Sequence, residues 1–501
     1  MKQSHSLFAF IKDVAMYSSP RWLSKGLGII LIPIYTRVFS SKDYGILDII
    51  EVLNAFLVLG TNFGLAHSLP RFFSEAETEE ERQTLFSTVF WTCIAAYCVL
   101  LPLFAFGASP LSRYLVGDDS VTGTILWALL AVFTSNLSMY LLQLYRLQFQ
   151  ALRHSLFSFI HLSINLPLTL YFVVTLRTGT IGIYWARVLA ECSITGMMLI
   201  QQFRFFTKPK FSYLPELLRY GLPLVPSTLA YFIIQYLDRY FIQFYHGLSQ
   251  LGIYAIAYKF TNILLFVSSG FTIAWPPFFW AVYKRKQGRE QIRLSYKGFA
   301  IVMAYLAFGL ELFSAEILLL LTPQDYIDAV RVIYILVTAI VIFNTSDYFC
   351  LGIDIRKKTY HYLYGGILAA TINIFLNWLF IPRFGITGAA WATLSAYFLY
   401  SVYVMYISQK FYPVNYGMLR FFIIVSLFSG CSSIFSTQTE FQWSFFFWKM
   451  GLFTVGTLFI PFVTGFITFK EMTLLFQYSK KIFLKTGLQQ ESSEKLTENM
   501  Y

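Results

Sequence analysis

Residues 31–73 read LIPIYTRVFSSKDYGILDIIEVLNAFLVLGTNFGLAHSLPRFF, and this stretch decides the fold because it returns, altered, about 207 residues later. The later copy, residues 238–280, is DRYFIQFYHGLSQLGIYAIAYKFTNILLFVSSGFTIAWPPFFW. In both, an apolar helix ends in a polar turn and a glycine opens the next helix (Gly45, Gly252). A proline with aromatics then closes it: Pro70 with Phe72 and Phe73, Pro277 with Phe279 and Trp280. A second marker keeps the same register. GTIGIYWA, with Gly179, Gly182, Trp185 and Ala186, recurs as GITGAAWA, with Gly385, Gly388, Trp391 and Ala392. Two independent markers at one displacement mean two homologous halves.

Working outward, 57% of the 501 residues are hydrophobic and 13% are charged, more apolar surface than a water-soluble fold of this size can hide. The net charge of +12 sits in short connectors between apolar runs, where it sets membrane orientation; no nucleic acid is expected as a partner. The five cysteines fall inside apolar runs without metal-ligand spacing and are expected to be small core hydrophobes.

Counting apolar runs of bilayer length gives about fourteen spans, the first near residues 15–37. The expected architecture is an all-α polytopic membrane protein: two pseudo-symmetric six-helix lobes plus two carboxy-terminal helices. Residues 1–210 form the first lobe, 211–412 the second and 413–470 the unrepeated pair, and 471–501 are a polar cytoplasmic tail. With the amino terminus in the cytoplasm, the inner connectors collect most of the Lys and Arg, including Lys208, Lys210, Lys284, Arg285, Arg356 and Lys357. The positive-inside rule then places both termini in the cytoplasm.

No enzyme is expected. The chain contains no GxxxxGK[ST], no HExxH and no GxSxG, and no extramembrane loop large enough to hold a sugar donor. What stands out is the set of ionisable residues inside spans, each costing about 2.5–3.5 kcal/mol near the bilayer centre and therefore expected to face a protein interior or a wet cavity. Arg21 and Lys25 are spaced i, i+4 on the first span and repel unless an anion lies between them; a phosphate-bearing substrate supplies that anion, and snorkelling to headgroups is the alternative. Arg187, Arg239 and Lys259 are the other cationic candidates for substrate contact. Arg187 and Glu191, also i, i+4, read as a mutually neutralising pair, and Asp48 and Glu51 as acids at a helix start. Asp238, Asn373, Asn377 and Thr393 carry oxygens suited to a hard monovalent cation or a proton relay, with helix-to-helix hydrogen bonding as the duller reading.

These residues carry a family likeness. Arg21, IPIYTRVFSSKDYG (32–45) and GLAHSLPRFF (64–73) resemble the first hairpin of the oligosaccharide flippase, or polysaccharide biosynthesis protein, family. YGLPLVPSTLAYFIIQYLDRYFIQFYHGLSQLGIYAIAYK (220–259) resembles that family's seventh and eighth helices. The family shares a superfamily with multidrug and toxic compound extrusion transporters and lipid II flippases. The resemblance implies two lobes around a central cavity that move an undecaprenyl-pyrophosphate-linked glycan across the bacterial cytoplasmic membrane by alternating access. It implies lipids and other polysaccharide assembly proteins as neighbours, no cofactor, and sodium or proton coupling. Arg21 and Lys25 match the basic positions that meet the pyrophosphate. Asp238, Asn373, Asn377 and Thr393 resemble the sodium-binding positions of lipid II flippases, with Asn377 standing where an acid is expected. The rival readings are an ion-coupled multidrug or cation antiporter on the same fold and a non-transporting component of polysaccharide assembly.

Overall fold

The computed structural model describes residues 23, 26, 28, 30–117, 119–435 and 442–474. Among the described residues there is no strand. The first half holds α1 (Ile32–Val38), α2 (Ser41–Asn62), α3 (Leu65–Glu75), α4 (Glu79–Phe106), α5 (Ala108–Val116), α6 (Thr122–Leu147), α7 (Ala151–Leu170) and α8 (Ile181–Gln202). The second holds α9 (Leu214–Gly221), α10 (Val225–Val282), α11 (Gly288–Leu312), α12 (Ser314–Leu321), α13 (Ala329–Ser346), α14 (Leu351–Ile355) and α15 (Tyr360–Phe411). The chain then adds α16 (Met418–Phe435) and α17 (Trp443–Val463). Nine of the described helices are long and apolar enough to cross a membrane, ten if α11 and α12, bent by 58°, count as one span.

Two elements are hairpins. The Tyr254 hydroxyl of α10 donates to Asp238, and the Tyr258 hydroxyl donates to Gln235 Oε1 at 3.0 Å. Along a straight helix those pairs would stand about 24 and 35 Å apart, so the chain folds back between them, at Gly247 (φ 79°). In α15, His361 Nδ1 lies 3.0 Å from the Tyr403 hydroxyl, which requires a reversal at Gly385 (φ 57°). With both hairpins counted as two passes and α1 as the described end of the first span, the order of elements accommodates the roughly fourteen spans read from the sequence.

The repeat is visible in three dimensions. Gly179 and Gly385, paired by the second marker, both take the left-handed backbone (φ 71° and 57°) that a side chain resists, each at the turn into the next span. Gly45 and Gly252, paired by the first, work across the lobe boundary. A Cβ on Gly45 would lie 1.9 Å from the Leu248 carbonyl oxygen, and one on Gly252 would lie 1.8 Å from that of Ser41. Each glycine thus abuts the helix start of the other copy, the reciprocal contact of a pseudo-two-fold interface. Within the halves, α6 packs on α8 and the equivalent α13 packs on α15, while α2 and α10 form the seam between them. Ile49, Ile50 and Leu53 of α2 share one buried cluster with Leu251, Tyr254 and Ala257 of α10.

The helix starts differ from the sequence expectation. Gly45 does not open α2; Ser40 caps it, accepting from the Asp43 amide at 3.2 Å while Asp43 accepts from the Ser40 amide at 3.0 Å, so Gly45 falls in the second turn and serves packing instead. Pro70 does not close a span but lies within the short α3. Cys98 and Cys192 are exposed on outward faces rather than in the core. The added helices clamp onto the second half: Phe308 of α11 stacks on Phe428 at 4.3 Å and on Phe453 at 5.6 Å, and buried Lys449 of α17 meets Glu316 of α12 at 2.7 Å. Ordered chain continues past the expected tail boundary at 470, because Glu471 accepts two bonds from Lys297 Nζ, at 2.8 and 3.0 Å, and pairs with Arg293 at 2.9 Å.

Candidate functional site

At the seam α2 supplies acids and α10 supplies bases. Asp48 and Glu51 are one turn apart on α2, so both project toward the facing hairpin. Arg239, 4% exposed, is held on three sides: Nε stands 2.9 Å from Asp48 Oδ2, Nη1 donates to Asp238 Oδ1 at 2.9 Å, and Nη1 also donates to the Gln235 carbonyl at 2.5 Å. Its guanidinium lies 4.5 Å from the centre of the Tyr258 ring. Lys259, on the same hairpin, is exposed to the cavity and belongs to no ion pair among the described residues; its ammonium sits 4.6 Å from the Tyr44 ring centre.

These groups border a cavity of ≈ 770 Å³ between the halves, lined by Tyr35, Asp48, Glu51, Tyr231, Tyr236, Arg239, Tyr258, Lys259 and Asn262, together with Gly26 and Gly28 ahead of α1. A second space of ≈ 290 Å³, between α2, α3 and the first arm of α10, shares Tyr231 and Tyr236 with it, so the two adjoin along the seam. Arg21 and Lys25 lie outside the described residues.

Two readings from spacing are corrected. Arg187 does not neutralise Glu191. It donates to Glu51 Oε1 at 3.0 Å, while Glu191 accepts from Ser135 at 3.0 Å and Ser138 at 2.5 Å and lies 3.4 Å from His161 Nε2. Asp48 and Glu51 are not mere helix-start acids, because each has a cationic partner. The cavity is lined by two acids (Asp48, Glu51) and two bases (Arg239, Lys259), with Arg187 and Asp238 as further ion-pair partners of Glu51 and Arg239; Lys259 is in no ion pair among the described residues. Three further acids within the helices, Glu191, Glu311 and Glu316, are hydrogen-bonded or ion-paired in other parts of the lobes.

The register of the helices sets the four oxygen-bearing residues near one level. The first arms of α10 and α15 run side by side, with Ala230 against Gly366 and His246 Nε2 2.7 Å from the Ile381 carbonyl, a register that sets Asp238 opposite Asn373 and Asn377. Gln235 donates to the Tyr397 hydroxyl at 2.6 Å, which places Thr393, one turn earlier, beside Asp238 and Arg239. All four are fully buried. Asn377 Nδ2 donates to Asn373 Oδ1 at 2.9 Å, leaving Asn377 Oδ1 and Thr393 Oγ1 without partners. Two open oxygens suit a hard cation, but both oxygens of Asp238 are already taken, by Arg239 and by the Tyr254 hydroxyl. The Arg239 guanidinium beside it offsets the negative charge that Asp238 brings to such a site.

Sequence reasoning missed the polar frame that holds this centre: Gln235, Tyr254, Tyr258 and Tyr397. Its signal was present, since Gln235 precedes Asp238 by one turn and Tyr254 and Tyr258 are i, i+4.

A two-lobed helical fold with apolar spans and a polar chamber at its seam defines the class: a polytopic membrane protein. The chain belongs to the polysaccharide biosynthesis protein family, whose model matches residues 10–282, more than half of it. It is similar to an uncharacterized membrane protein, MJ1068, of Methanocaldococcus jannaschii, at 22% identity over 80% of this chain and 84% of that one. It is also similar to the succinoglycan biosynthesis transport protein ExoT of Rhizobium meliloti, at 23% identity over 60% of each chain, somewhat under two thirds of that relative's length. Among solved structures, the lipid II flippase MurJ in an inward closed conformation shares the fold with a TM-score of 0.69 and 16% identity, covering 89% of this chain and 98% of that one. An inward-facing multidrug resistance MATE family transporter of the MOP superfamily shares it with a TM-score of 0.63 and 14% identity, covering 79% and 94%.

Proposed function

We propose that this protein is a flippase that carries an undecaprenyl-pyrophosphate-linked oligosaccharide or polysaccharide repeat unit from the inner to the outer leaflet of the bacterial cytoplasmic membrane. The observation that carries this reading is the seam cavity, where Lys259, in no ion pair among the described residues, presents a cation among tyrosine side chains. A glycan headgroup cannot cross hydrocarbon unaided; a polar passage between lobes gives it a route while the lipid tail stays in the bilayer. Lys259 binds pyrophosphate by charge, Arg239 holds the seam beside it, tyrosine faces and Gln235 meet the sugar, and rocking of the halves about α2 and α10 exchanges the open side. Arg21 and Lys25 add the further positive charge that a pyrophosphate requires.

No bond is made or broken, so the chain acts as a carrier rather than an enzyme. Both termini lie in the cytoplasm, and the remaining neighbours are membrane lipids and the proteins that assemble the same polysaccharide. Transport of a fluorescent lipid-linked glycan in vesicles tests the reading. The wild type is expected to deliver it to the far leaflet, and Lys259→Gln to slow delivery at low substrate; movement of small organic cations with no effect on the glycan would favour the antiporter instead.

A further inference from the structure

The buried carboxyl of Glu311, near the end of α11, takes no part in the chamber. Glu311 is 1% exposed, and among the described residues it belongs to no ion pair. Its Oε1 accepts one bond, from the Thr338 hydroxyl of α13 at 3.2 Å, and its Oε2 has no partner. Five residues on, Glu316 shows what the fold does for a permanent charge: Lys449, itself 0% exposed, stands 2.7 Å away. An ionised carboxylate left without a counter-ion in a membrane interior is costly, whereas the neutral acid is not.

A cavity lies on the other side of its hydrogen-bond partner. Thr338 and Tyr334, one turn apart on α13, line a cavity of ≈ 680 Å³ whose rim carries Asp328 and Arg331. The charged and titratable groups around Glu311 are Tyr334 and Arg331 from α13, Glu316 from α12 and its partner Lys449 from α17. Elsewhere α17 meets this end of α11 with the Phe453 ring against Gly309. Glu311 sits where α11 and α12 meet at 58°, with Ser314 donating to its carbonyl at 2.7 Å, so its charge state bears on a bend in the second half.

We infer that Glu311 is a proton-carrying site that couples a proton gradient to the rocking of the lobes. It takes a proton onto Oε2 from the compartment reached through the cavity beside Thr338, carries it as the neutral acid, and releases it to water of the opposite compartment when the lobes have rocked; no other bond changes. This coupling site is separate from the Asp238 quartet, whose carboxylate is paired with Arg239, and it rests on the flippase reading.

The test uses the full chain in lipid vesicles with two readouts. Infrared difference spectra on pH change should contain a protonated-carboxyl stretch that Glu311→Gln removes, Glu311→Asp shifts and Glu316→Gln leaves in place. A one-unit pH gradient, worth about tenfold in distribution for one coupled proton, should bias glycan delivery in the wild type. In Glu311→Gln that bias should vanish while passive equilibration persists. A wild-type spectrum without the band, or a band that survives Glu311→Gln, overturns the site. If the band belongs to Glu311 but the wild type moves no glycan, the flippase reading falls and the site stands. If Glu311→Gln keeps the full gradient bias, the coupling role falls and the flippase reading stands.

Discussion

Asp48 of the first half and Arg239 of the second stand 2.9 Å apart at the centre of the seam, and Arg239 is simultaneously bound to Asp238 of its own half. One guanidinium therefore ties the lobes together and neutralises a buried acid. Arg239→Gln leaves two carboxylates facing each other without a cation, a loss worth about 3–5 kcal/mol for a buried pair. Thermal unfolding in detergent should show this drop for Arg239→Gln. The double variant with Asp48→Asn should recover part of it, and that recovery is the coupling between the two sites.

The glycines at the pseudo-two-fold contact make a second expectation. Gly252→Ala forces a methyl against the Ser41 carbonyl and Gly45→Ala one against Leu248, overpacking worth about 1–3 kcal/mol at each. Because the contact joins the two halves, the strain is relieved by parting them. Cysteine accessibility at Leu248→Cys should rise in Gly45→Ala while membrane insertion is retained; unchanged accessibility would mean that the helix starts yield locally instead.

Lys259 is separable from the scaffold. It makes no ion pair among the described residues, so Lys259→Gln should leave unfolding within about 0.5 kcal/mol of the wild type while raising the substrate concentration needed for half-maximal transport. Lys259→Arg should restore most of the affinity, since it keeps the charge that a phosphate needs. Titration of initial transport rates against lipid-linked glycan checks both.

Glu471, beyond the last span, gives a pH dependence. Partial burial works against its charged form, but the bonds from Lys297 and the Thr468 amide and the charges of Lys297 and Arg293 outweigh it and hold the carboxyl below the ordinary glutamate range. A folded value below the unfolded one, about 4.3, means that the stabilisation is fully present above that pH and is lost as pH falls through the folded value. Hydrogen-exchange protection across residues 464–474, taken relative to the intrinsic rate at each pH, should be high at neutral pH, fall on acidification and be low at all pH in Glu471→Gln.

Much of this was legible in the chain. Gly45 with Gly252 and Gly179 with Gly385 marked the repeat because a backbone that must approach closely or turn left-handed tolerates little else, and both copies face the same constraint. Asp238, Asn373, Asn377 and Thr393 are all buried, as polar side chains on apolar helices must be, and Asn377 bonds to Asn373. The ion pairs were less legible. Spacing i, i+4 reports only neighbours on one helix, so Arg187 was matched with Glu191 when its partner, Glu51, lies 136 residues away. Asp48 was passed over for the same reason: its meaning depends on which helix faces α2, and that is fixed by the seam. Lys259 and Arg239 looked alike in sequence, yet one is bound by two carboxylates and the other has none assigned.

The most direct test of the chamber is photochemical. A lipid-linked glycan carrying a photoreactive group on its first sugar, irradiated with the protein in vesicles, should label peptides spanning residues 31–51 and 231–262, and unlabelled substrate should compete the label away. Labelling confined to the outward faces of α4 or α17, unaffected by competitor, would contradict a passage between the halves.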